Sequence, residues 1–261
     1  MLKEKLKELH GNKHQDCNFG LTKFNLKKKD VKLSAEEVSK RNKPTKPPHG
    51  GGVPPPPPPP PPLPTITGTI FLDFTGYTVT GTTWNYNGDL VCTPANLSSG
   101  QVDEIIASVQ ENYALYNVIV TVDEAVYNAA PIGNKTRVIL TETWEWYGQT
   151  GGVALIGSFF WTTETPCFVF TSLLGYSTKK IKGTTSHEVG HTIGLYHQSV
   201  YDTSCIKISE YNAGNSECAC APIMGKSYDQ PDGKWWVGPS SRSCTDIQDD
   251  AAIIQLKVGL K

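Results

Sequence analysis

The stretch His187-Glu188-Val189-Gly190-His191-Thr192-Ile193-Gly194-Leu195-Tyr196-His197 holds the residue types and spacing with the most chemical content. His187 and His191 are four residues apart, so on a helix they lie one above the other on the same face. Two imidazoles so placed reach one metal ion at ~2.0–2.1 Å per Zn–N bond. Glu188 projects about 100° round the same turn, near the open side of such an ion without binding it. Gly194 lets the helix stop, because glycine adopts left-handed backbone at no steric cost. The chain then turns and offers His197 as a third ligand. Three neutral imidazoles leave one coordination position for water, the pattern of a catalytic and not a closed structural zinc site. A His-Glu-x-x-His match arises by chance in roughly one chain in a hundred. Adding Gly194 and His197 at fixed spacing lowers that to roughly one in a hundred thousand.

This long motif resembles that of the metzincins, zinc endopeptidases in which it is followed by a methionine turn. Ala221-Pro222-Ile223-Met224-Gly225 is similar to that turn, with Met224 standing 27 residues beyond His197. Tyr113-Ala114-Leu115-Tyr116-Asn117-Val118 and Gln248-Asp249-Asp250 resemble segments of bacterial and related metzincin-like proteases, and the likeness covers most of residues 66–256. The resemblance implies an α+β fold. Its catalytic domain would hold a twisted mixed β-sheet, an active-site helix and an irregular C-terminal subdomain ending in a helix. It implies one catalytic Zn2+ held by His187, His191 and His197, with Met224 as an apolar floor that does not bind the ion. The implied activity is hydrolysis of peptide bonds in protein substrates, with Glu188 as general base on zinc-bound water. It also implies an edge strand above the helix that pairs with an extended substrate. Gly152, Val153, Ala154 and Leu155 are the candidates, acting by β-augmentation. Two positions depart from better-known subfamilies. Gln198 follows the third histidine, which assigns no subfamily. Lys226 stands where some members carry a tyrosine two residues after the methionine, and the nearest tyrosine is Tyr228; packing is the favoured role for Tyr228, with a fifth-ligand, oxyanion-donor or substrate-binding role as the alternative. The competing function is a catalytically weak binding or adhesion module on the same fold.

Several elements must position these residues. Ile66 to Val79 alternates β-branched and apolar residues as a strand. Ser99 to Tyr116 has Val102, Ile105, Ile106, Val109 and Tyr113 on one helical face. Val118–Val122, Arg137–Thr141, Gly152–Phe160 and Cys167–Thr171 read as further strands, and 178–194 as the helix carrying the histidines. Thr245-x-x-Gln248 has the pattern of a capping box ahead of a last helix reaching Leu256.

Composition divides the chain. Residues 1–46 carry 13 Lys/Arg against 6 Asp/Glu, a net of +7, whereas the remainder carries a net of -8. Thirteen of the 19 prolines lie between Pro44 and Pro64, nine of them consecutive from Pro54 to Pro62. The expected organisation is a disordered basic tail or propeptide-like segment at 1–46, a proline-rich linker at 47–64 and the zinc metalloprotease domain at 65–261. Leu2, Leu6 and Leu9 have the spacing of a short helix, and the proline run that of polyproline II, a spacer or an SH3/WW-type ligand. An acidic body repels phosphate, which argues against nucleic acid as a partner. No apolar run reaches the roughly 18–20 residues of a membrane span. Met1 to His10 lacks the apolar core of a secretory signal. The six cysteines at 92, 167, 205, 218, 220 and 244 form an even set for three disulfides, which points to a secreted or extracytoplasmic protein. Cys17 is left over in the tail. A thiolate is a good zinc ligand, but the residues around Cys17 do not match the known latency motif.

Overall fold

A computed structural model describes residues 14–17, 68–214, 217–228 and 230–261. The helix expected around Leu2 to Leu9 and the polyproline run lie outside the described residues. The strands of the first half are β1 (His14–Cys17), β2 (Gly68–Asp73), β3 (Tyr77–Val79), β4 (Leu90–Cys92), β5 (Val118–Thr121), β6 (Lys135–Thr141), β7 (Gly152–Leu155) and β8 (Cys167–Phe170). Helices α1 (Ser99–Asn112), α2 (Glu124–Ala129) and α3 (Thr178–Ile193) alternate with them. Six of these strands form one mixed sheet in the order β1-β7-β8-β6-β2-β5. The pairs β2–β5, β2–β6 and β6–β8 are parallel, and β7 is antiparallel to β8 and to β1. The fold is therefore α+β with a mixed sheet, as expected.

Strand periodicity sorts side chains to the two faces. Val138 and Leu140 of β6, Cys167 and Val169 of β8 and Ala154 of β7 join one core with Ile105 and Val109 of α1 and Ile181 and Val189 of α3. Ile139, Phe168, Phe170, Val153 and Leu155 point the other way, into a core closed by Val79, Trp84 and Tyr147. A sheet covered on both faces needs near-continuous apolar strands, which explains runs such as Cys167-Phe-Val-Phe170. Trp84 fixes the second core. Its ring makes edge contacts with Trp146, Tyr147 and Phe168, and its indole N–H donates to the Pro166 carbonyl at 2.8 Å. Helix α1 starts with the reciprocal Ser98–Gln101 capping box.

The chain continues through short strand pairs, β9 (Val200–Tyr201) with β10 (Lys207–Ser209), β11 (Cys220–Pro222) with β12 (Asp232–Lys234), and β13 (Val237–Ser240) with β14 (Ser243–Asp249). It closes with α4 (Asp250–Val258). This is the irregular C-terminal region ending in a helix.

Five expectations change. The strand read over Ile66–Val79 is broken, because Asp73 Oδ1 accepts from the Thr75 amide at 3.1 Å and Gly76 takes φ +92. The strand read over Gly152–Phe160 stops at Leu155. Gly157, at φ +79, begins a 3-10 turn over Ser158–Phe160 that docks on α3. The capping box read at Thr245 does not form. Residues 243–249 pair as β14, and Asp249 caps α4 through the Ala252 amide at 2.9 Å. Among the described residues two disulfides are present, Cys205–Cys244 and Cys218–Cys220, and Cys92 and Cys167 are buried thiols. Those two belong to the cores on opposite faces of the sheet, so they do not pair with each other as the expected third bridge. Finally, His14–Cys17, within the tail expected to be disordered, is a strand on β7.

Candidate metal centre

Helix α3 is buried from Ile181 to Ile193 although it is rich in Thr, Ser and His. Burying polar groups requires partners. Thr185 and Thr192 hydroxyls donate back to the Ile181 and Val189 carbonyls, both at 2.8 Å. Asn112 Nδ2 donates to Ser186 Oγ at 2.8 Å, and the Tyr113 hydroxyl donates to the Ser186 carbonyl at 2.9 Å. The Tyr113–Val118 segment thus begins by bracing the turn that carries His187. Gly190 leaves room for methionine: a Cβ there would lie 2.6 Å from Met224 Sδ. Gly194 ends the helix at φ +124, with its amide bonded to Gly190 and His191 carbonyls.

His187, His191 and His197 are all buried, and one ligand atom from each lies within 4.8 Å of the others. All three Nδ1 atoms are occupied. His187 Nδ1 donates to the Ile223 carbonyl at 2.6 Å, His191 Nδ1 to the Leu195 carbonyl at 2.7 Å and His197 Nδ1 to Glu210 Oε1 at 2.7 Å. A carbonyl only accepts, so His187 and His191 carry their protons on Nδ1 and present Nε2 lone pairs. Those two Nε2 atoms face each other at 3.1 Å. Burial, followed by the neighbouring imidazoles, pushes both rings well below the ordinary histidine pKa and keeps them neutral. Two neutral acceptors cannot bond to one another. A cation between them resolves the repulsion, and ligands ~2.0–2.1 Å from one tetrahedral ion stand roughly 3.3 Å apart. The donor set therefore fits a metal ion, and three imidazoles suit Zn, Cu, Fe or Ni.

Glu188 is fully buried. Strand β7 passes over its carboxylate, since a Cβ on Gly152 would sit 2.4 Å from Glu188 Oε1. The Cys167 thiol on β8 is raised well above its ordinary range by burial and then by the Glu188 charge.

Met224 is buried beneath Gly190, and the Ile223 carbonyl beside it holds His187. The Met224 carbonyl accepts from the Gln198 amide at 2.7 Å, tying this turn to the third histidine. The structure brings together His187, Glu188, His191, His197, Met224 and Gly152. Val153 and Leu155 turn their side chains into the far core, and Ala154 faces the α3 side. Tyr228 packs against the α3-side core with Lys180 5.3 Å from its ring centroid, seven positions before His187.

Two features carry no signal in the local spacing. Glu210 receives His197 Nδ1 on one oxygen and Lys207 Nζ at 2.7 Å on the other. Burial acts to raise its pKa, but the hydrogen bonds from His197 and Lys207 outweigh it and hold the carboxyl low. The Tyr211 ring lies beside His197, tilted by 49° with ring centroids 4.5 Å apart. The other feature is a clamp on both neighbours of His197. Gln248 accepts from the Tyr196 amide at 2.9 Å and donates to its carbonyl at 2.8 Å. Asp250 Oδ1 accepts from Gln198 Nε2 and Gln248 Nε2, each at 2.8 Å, and Oδ2 accepts from the Trp236 amide at 3.0 Å.

Comparison with known protein families finds no family model that matches the chain, and comparison with curated proteins finds no match.

Proposed function

We propose that the chain is a metzincin-like zinc endopeptidase that hydrolyses peptide bonds in protein substrates. The observation that supports this best is the set of three converging imidazoles with Glu188 buried on the same helix under strand β7. His187, His191 and His197 would hold the ion. When bound, zinc supplies Lewis acidity, which lowers the pKa of water to about 7 and polarises a carbonyl. Glu188 takes the proton of the attacking water and delivers it to the leaving amine. The β7 backbone orients an extended substrate, with hydrogen bonds for affinity and neighbouring pockets for selection. Met224 packs under the helix and keeps both ligands of α3 in place. The two disulfides support a secreted or extracytoplasmic location. No helix among the described residues is long and apolar enough to cross a membrane.

Glu188→Gln keeps the size and removes the base. Hydrolysis of a quenched peptide library should fall by at least 10²-fold, while metal content by mass spectrometry stays at one zinc per chain. Wild-type turnover by that variant sinks the assignment. His197→Ala should lose zinc on dialysis, and unchanged zinc affinity would show that His197 is no ligand.

A further inference from the structure

We infer that the edge of β7 is a peptide-docking edge whose built-in occupant is the chain's own segment His14–Cys17, which closes it to other peptides. The inhibitory side of this rests on the peptidase reading above; the docking side does not.

The argument starts with sheet topology. Without β1, strand β7 would be the edge of a five-stranded sheet. A bare edge presents unpaired N–H and C=O groups, a template for any extended chain. Here that template is taken by β1, antiparallel and in register, with His14 opposite Leu155, Gln15 opposite Ala154, Asp16 opposite Val153 and Cys17 opposite Gly152. Position matters as much as pairing. Gly152 lies against the Glu188 carboxylate, and two residues past Leu155 the Gly157 amide donates to the His191 carbonyl at 3.0 Å. Strand β1 also lies close to α3 itself. The occupied edge is therefore the one beside the candidate metal centre. Backbone hydrogen bonds supply most of the affinity in strand addition, so a polar segment such as His-Gln-Asp-Cys suffices. Residues 18–67 join it covalently to β2. An intramolecular strand competes at an effective concentration on the order of mM, against which a dilute peptide in trans is excluded.

The test uses the full chain. Consecutive residues of a strand point their amides to opposite sides, so one of Gln15 and Asp16 must face β7. The double substitution Gln15→Pro/Asp16→Pro removes both donors and leaves every site residue in place. The probe is a fluorescent synthetic peptide of residues 12–20, followed by anisotropy on zinc-loaded protein. The double variant should bind it at least tenfold more tightly than wild type. Equal binding by the two proteins, or binding by neither, overturns the inference. Cys17→Ser keeps all backbone donors and should bind at the wild-type level. A gain equal to that of the proline variant would show that the thiol, not the strand, holds the segment, and would overturn it too. Turnover of a quenched peptide is read on the same samples and should rise at least tenfold in the proline variant. Equal turnover sinks the inhibitory role, whereas absence of hydrolysis by both proteins sinks the peptidase reading and leaves the docking result to stand or fall by anisotropy.

Discussion

At the scale of single residues, the centre depends on which nitrogen of each imidazole carries the proton. Backbone carbonyls of Ile223 and Leu195 set this for His187 and His191, and a carboxylate sets it for His197. An ionised acceptor raises the basicity of the imidazole it holds and makes it a better ligand. Lys207 holds Glu210 in turn, so His197 rests on a relay of two charges. Glu210→Gln retains one acceptor oxygen and removes the charge. Zinc affinity measured by chelator competition should weaken roughly 10–100-fold, with the variant still folded. An affinity within twofold of wild type would show that Glu210 is a bystander. The histidines and Glu188 were legible because helical spacing puts them together wherever the helix goes. Glu210 was not, because it reaches His197 through a loop with no periodic relation to the motif.

At the scale of elements, β7 and α3 are matched surfaces. Gly152 is the contact point: an alanine Cβ there would meet Glu188 Oε1 at 2.4 Å and the Phe168 carbonyl oxygen at 2.7 Å. The carbonyl belongs to β8, so the clash is not relieved by turning a side chain. Gly152→Ala should cost about 1–3 kcal/mol of stability, read from the denaturant midpoint. It should also lower peptide turnover more than zinc content. An unaltered midpoint would mean that β7 and β8 have slack at this position. The strand and the helix were both visible in the sequence, yet the end of β7 was not. Apolar residues run to Ile156 and resume at Phe159, and between them the left-handed Gly157, docked on the His191 carbonyl, turns the chain out of the sheet. The same holds for the last helix. Gln248 looks like a capping residue by spacing, but its amide is spent on Tyr196, and Asp249 takes the cap instead.

At the scale of the whole molecule, the C-terminal region is fastened to the three-histidine site by buried polar groups, and the Cys205–Cys244 bridge joins the loop before β10 to β14. Asp250 is the hub of that fastening. Burial, against three accepted hydrogen bonds, pushes its carboxyl up to about 7 from an ordinary value of 3.8. The folded chain then holds a proton that the unfolded chain has released, so this group's contribution to stability falls as pH rises from about 4 to about 7. Asp250→Asn lacks that proton equilibrium. Urea midpoints collected from pH 4 to 8 should show wild type losing stability relative to the variant across this window. Parallel curves would refute the shift. Sequence alone determined the three-histidine motif with Glu188, most strand and helix cores, and the division into a basic, proline-rich N-terminal part and an acidic body. These follow from local period, local spacing and composition. Tertiary structure alone decided that Glu210 backs His197, that Gln248 and Asp250 clamp its neighbours, that Cys92 and Cys167 stay apart, and that His14–Cys17 lies on β7. Each of those joins positions distant in sequence, and such a pairing depends on where the packed sheet and helices bring the chain, which no local pattern encodes.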